Sequence, residues 1–138
     1  MSDTSVLSNL AVVNYVNNAD LPRLIELLAS SGYRVIQLDG EHVHDAPSLF
    51  GEAAAQFLTN RDSSNWDSFG DYLENFVWSF DDKFIALVWS HVEQMLEGSL
   101  GDLITAAGIL TGISRGVYQE GTVFVTFLLG DGPNFPRL

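Results

Sequence analysis

Two segments decide the fold class. KFIALVWS, Lys83 to Ser90, and TVFVTFLLG, Thr122 to Gly130, are apolar at nearly every position. A strand with one wet face alternates apolar and polar residues. A strand covered on both faces does not, and such strands belong mostly to parallel sheets. A third segment, YRVIQLDG from Tyr33 to Gly40, also reads as a strand and ends in a turn at Asp39 and Gly40. Helical patterns fill the gaps, and strands alternating with helices imply right-handed crossovers. The expected fold is α/β, with a small three-stranded parallel sheet in the order 1-2-3. Both crossovers then pass over one face, so the helices pack mainly on that face. The second face needs a cover. The first 30 residues are the candidate, through Val12, Val13, Leu24, Ile25 and Leu28; a homodimer through an open sheet face is the competing expectation.

The helices are marked by their ends. Asp20 reads as an N-cap with Pro22 in the first turn, LPRLIELLASSG places Leu21, Leu24, Ile25 and Leu28 on one side, and Gly32 suits the C′ position. Asp45 opens DAPSLFGEAAAQFL, where Leu49, Ala53 and Phe57 share a side. HVEQMLEG is a short helical turn, and SLGDLITAAGILTGISRGVYQEG a longer helix weakened by Gly108, Gly112 and Gly116. SVLSNLAVVNYV fits an edge strand and a short helix equally. GDGPNFPRL gives little reason for order. The expected organisation is an extension over 1–32 packed on a domain over 33–130, then a tail over 131–138.

Composition narrows the function classes. The chain has 138 residues, enough for one core, with 18 acids against 6 bases and a net charge of −12. That balance opposes nucleic-acid binding and docking on anionic membranes, and favours a basic partner. There is no cysteine, which excludes disulfides and thiolate sites and fits a cytoplasmic location. MSDTSVLSNL does not read as a secretory signal, and no apolar run approaches the ~18 residues of a membrane span. His42 and His44 in EHVHD, beside Glu41 and Asp45, raise a metal site but lack a third ligand at a convincing spacing. His91 reads as a cap or turn residue. No P-loop, GxSxG or dinucleotide fingerprint is present, so no enzyme activity, metal or cofactor is expected.

The segment NWDSFGDYLENF, Asn65 to Phe76, splits into two helical faces. Trp66, Phe69, Leu73 and Phe76 lie on one; Asp67, Asp71 and Glu74 lie on the other. Like charges at i,i+3 and i,i+4 repel by roughly 0.2–0.5 kcal/mol per pair. A solvated outer face explains the stripe simply, and Asp67 gains from the helix dipole. Trp78 continues the acidic side if the helix runs that far, or turns into the core.

The order of elements from Tyr33, together with Asn65, Trp66, Asp67, Phe69, Asp71 and Leu73, resembles the barstar family of small intracellular inhibitors of bacterial ribonucleases. The resemblance covers roughly Tyr33 to Gly130. It implies that the acidic helix enters the nuclease active site, with Asp71 as the deepest acid and Asp67 its companion. Carboxylates suit that place, because a nuclease presents cationic groups to a phosphate. The chain departs from the family at three points. Gly70 stands where the family has an aromatic residue. The loop Asn60 to Ser64 has no tyrosine. Arg115 and Gly116 are the positions nearest the family's late glutamate, with Glu120 a turn later.

The expected function is that of an inhibitor or immunity protein binding a basic ribonuclease or nuclease toxin one-to-one. The alternative is an acidic interaction module of the same fold with a different basic partner. The expected contact residues are Asp67, Asp71, Glu74, Gly70, Trp78, Asp62 and Ser64.

Overall fold

The computed structural model describes residues 10–59 and 63–138. Four strands form one parallel sheet: β1 (Val13–Asn17), β2 (Arg34–Asp39), β3 (Phe84–Ser90) and β4 (Val123–Gly130). Their spatial order is β1-β4-β3-β2. The three strands read from the sequence are thus neighbours in the expected sequence, but the expected count of three is wrong. The fourth strand, β1, comes from the segment that fitted strand and helix equally, and it pairs with β4 in the register Val13↔Thr126 to Asn17↔Gly130. β1 is short and holds two asparagines, so its strand character comes from pairing with β4 rather than from local pattern.

The helices are α1 (Leu21–Ser30), α2 (Ala46–Gln56), α3 (Trp66–Trp78), α4 (Glu93–Gly98) and α5 (Leu100–Tyr118). The sheet separates two apolar clusters. On one face Ile36, Leu38, Ile85, Leu87, Trp89, Phe124 and Leu128 meet Leu49 and Ala53 of α2, Phe69, Leu73 and Val77 of α3, and Leu103, Ala106, Leu110 and Ile113 of α5. On the other, Ala86, Val88, Val125, Phe127 and Leu129 meet Leu24 and Leu28 of α1. Alternate residues of β3 and β4 therefore serve opposite clusters, which is why both strands read as unbroken apolar runs. Because α1 buries the second face within a single chain, that face is not open for a second copy.

Local chemistry fixes the boundaries. The Asp45 carboxylate accepts from the Ser48 amide at 3.0 Å and the Ser48 hydroxyl at 2.7 Å, closing a capping box at α2. Asn65 accepts from the Ser68 amide at 2.9 Å at the start of α3. Asp20 occupies the N-cap position of α1 but makes no capping bond. Its carboxylate instead receives Arg137 through two nitrogens, at 2.7 and 3.0 Å, and the Leu138 amide at 2.9 Å. Those bonds hold its pKa down at about 2, chiefly through the Arg137 side chain and then the Leu138 amide. The segment 131–138 is consequently ordered, against the expectation from its composition: Phe135 is buried against Gly130. Gly40 is required where it stands, because a Cβ there would collide with the Ser90 carbonyl and the Trp89 ring.

Candidate functional site

α3 presents the acidic stripe on a rigid base. Phe69, Leu73 and Val77 are buried, and the half-buried Trp66 stacks edge-on against Phe50 at 5.0 Å between ring centroids. Asp67, Asp71 and Glu74 are exposed on the opposite side, so the separation of faces read from the sequence is present in the structure. At about 100° per residue, these three and Trp78 fall within an arc of roughly 60°. Trp78 is the last residue of α3 and is 44% exposed, lying at the solvent end of the stripe. Ser64 is exposed in the turn before α3, and Asp62 lies outside the described residues.

The three carboxylates make no hydrogen bond or ion pair among the described residues. Two of the bases elsewhere are already engaged. Arg34 bonds Asp82 at 3.0 Å and lies 4.9 Å from the Phe80 ring centroid, and Arg137 holds Asp20. Among the described residues, no base neutralises the charge on the α3 face.

Gly70 sits on the edge of the stripe that faces α5. A Cβ built there would lie 3.6 Å from Ile109 Cγ2, an ordinary contact, so internal packing does not demand glycine. On the opposite flank, a groove of about 650 Å³ is lined by Leu58, Thr59, Tyr72, Asn75, Phe76 and Ser79. Tyr72 and Asn75 were not singled out by sequence reasoning. Their signal was available, since both lie between the acidic and apolar faces of one helix. Arg115 is exposed near the end of α5, and no acid replaces the family glutamate at that point of the helix.

EHVHD resolves as a cap. His44 Nε2 lies 3.7 Å from Asp45, whose carboxylate serves Ser48 and is held below its usual pKa by the Ser48 amide and then the Ser48 hydroxyl. Among the described residues no group of three or more His, Asp or Glu side chains is arranged to hold a metal ion. His91 occupies a turn after β3, with φ +56°. Among those residues no helix is long and apolar enough to cross a membrane.

The family model described as barstar (barnase inhibitor) matches residues 33–129. The chain belongs to the barstar family. A search of curated proteins returns no match. The barstar-family region runs from β2 almost to the end of β4 and contains α3 whole, so the acidic stripe lies inside it. β1, α1 and residues 131–138 lie outside it.

Proposed function

We propose that the protein inhibits a basic ribonuclease by laying α3 into its phosphate-binding site. The observation that carries the reading is the alignment of Asp67, Asp71 and Glu74, exposed and without a described partner, on a helix anchored by three buried side chains. Their mutual repulsion is a cost that a cationic active site relieves. The family's description as a barnase inhibitor supports a nuclease partner and a role without turnover. The net charge of −12 supports fast, salt-sensitive encounter with a basic surface. In this reading the protein acts in the cytoplasm as an immunity protein, one-to-one, with Asp71 central, Asp67 and Glu74 beside it, and Gly70, Trp78, Asp62 and Ser64 at the margins.

A second reading, an acidic module for a different basic protein, is favoured by Gly70, by Arg115 and by a loop without tyrosine. Calorimetric titration into a panel of basic ribonucleases, with Asp71→Ala as control and RNA cleavage as a second readout, separates the two. The inhibitor reading expects tight one-to-one binding, loss of cleavage and loss of both in the variant. Binding to a basic protein that is not a nuclease, with no nuclease in the panel inhibited, supports the second.

A further inference from the structure

Residues 131–138 pass around the free edge of β1 and touch both sides of the sheet. Phe135 lies in the cluster under α2, α3 and α5, and its ring meets Tyr15 edge-on at 6.2 Å. Leu138 packs against the cluster under α1. Between them, the Asn17 amide donates to the Pro136 carbonyl at 3.0 Å, and Asn17 Nδ2 donates to the Phe135 carbonyl at 3.3 Å. Arg137 then closes on Asp20 at the head of α1.

The two edges of the sheet are guarded differently. β2 carries Arg34 and Asp39, and Gln56 of α2 covers its last residue, accepting from the Asp39 amide at 2.7 Å and donating to the Asp39 carbonyl at 3.0 Å. β1, VNYVN, has no charge and no proline. Edge strands that lack such features invite pairing with another chain. The outward-facing groups of β1 belong to alternate residues, Val13, Tyr15 and Asn17, and Tyr15 is 55% exposed.

We infer that residues 131–138 are a latch that keeps β1 from pairing with β1 of a second copy. Phe135 and Arg137 are its two fasteners. When they are released, the outward groups of β1 form an antiparallel, two-fold pair with the same groups of another chain, the closed arrangement open to a single edge. Tyr15 is the middle residue of β1, so it lies opposite its own copy in that pair. The inference is independent of the nuclease reading.

The test compares the full chain with Phe135→Ala/Arg137→Ala, by sedimentation velocity over a concentration series and by hydrogen exchange of the β1 amides. The unaltered chain is expected to stay monomeric, and the double variant to double its mass. Adding Tyr15→Lys should restore the monomer, because like charges directly opposite one another repel. Arg137→Gln alone leaves Phe135 seated and decides the matter if the double variant unfolds. Its Asn17 amide should exchange at least tenfold faster than in the unaltered chain. A folded double variant that remains monomeric would overturn the inference. So would a dimer indifferent to Tyr15→Lys, or an Asn17 amide whose exchange Arg137→Gln does not change.

Discussion

Replacing Gly70 by alanine tests whether that position serves the fold or something outside it. Gly70 lies inside α3, where glycine costs about 0.8–1.0 kcal/mol relative to alanine. The added methyl would meet Ile109 Cγ2 at 3.6 Å, close enough for dispersion and too far for a clash. One such atom pair adds only ~0.1–0.2 kcal/mol, so helix propensity dominates. Gly70→Ala is therefore expected to stabilise the fold by about 1 kcal/mol, which for a chain of this length raises Tm by a few degrees. Urea and thermal unfolding followed by circular dichroism measure it. If the proposed inhibitor reading holds, binding to a basic ribonuclease should weaken in the same variant, because the methyl stands beside Asp67, Asp71 and Glu74 where a partner's backbone would approach. Destabilisation would refute the packing argument. Stabilisation with unchanged binding would show that nothing approaches α3 at that point.

Asp71→Ala should leave the fold intact or slightly firmer, since it removes like-charge neighbours at Asp67 and Glu74 worth roughly 0.2–0.5 kcal/mol each. Its binding should fall by roughly 2–5 kcal/mol, a range measured partly on barnase and barstar themselves and so not worked from this chain. Calorimetry and chemical unfolding on one preparation give both numbers, and a large loss of stability with binding unchanged would contradict the assignment. Phe69→Ala should do the reverse first: Phe69 is buried among Phe50, Trp66 and the sheet, and losing it should cost roughly 3–5 kcal/mol in urea unfolding. Protonating Asp20 should open the latch. Its folded pKa of about 2 lies below the ~3.9 of an unfolded aspartate, so its contribution to stability is complete above that value and is lost as pH falls through about 2. The acid dependence of unfolding should flatten there in Asp20→Asn.

The strands of the family region were legible because burial on both faces leaves an unbroken apolar run, as in FIALVWS and VFVTFLLG. α2 and α3 were legible because Asp45 and Asn65 cap them through their own side chains. The acidic face of α3 was legible from spacing alone, though what it faces was not, because a partner leaves no period in a sequence. β1 stayed open between edge strand and short helix because Val13–Asn17 has no local reason to be extended. The latch escaped for a similar reason: GDGPNFPRL looks like a loop until Phe135 finds Gly130 and Arg137 finds Asp20. Asp20 misled for a physical reason too. It stands at a helix start with the right chemistry for a cap, yet a guanidinium at 2.7 Å outcompetes the backbone amides for its oxygens.

The pairing of β1 with β4 also sets an order of events. Asn14 and Thr126 are joined across 112 residues, so β1 can find its neighbour only after the last strand exists. Closing so long a loop is entropically costly, and contacts of high sequence separation form late. β2, β3 and β4, linked in succession by α2, α3, α4 and α5, can assemble beforehand. During synthesis β1 must therefore wait for β4 until the chain has been made as far as Thr126, 112 residues beyond Asn14. The asparagines of β1 suit that interval, since they keep a waiting strand wet where valine or isoleucine would make it adhesive.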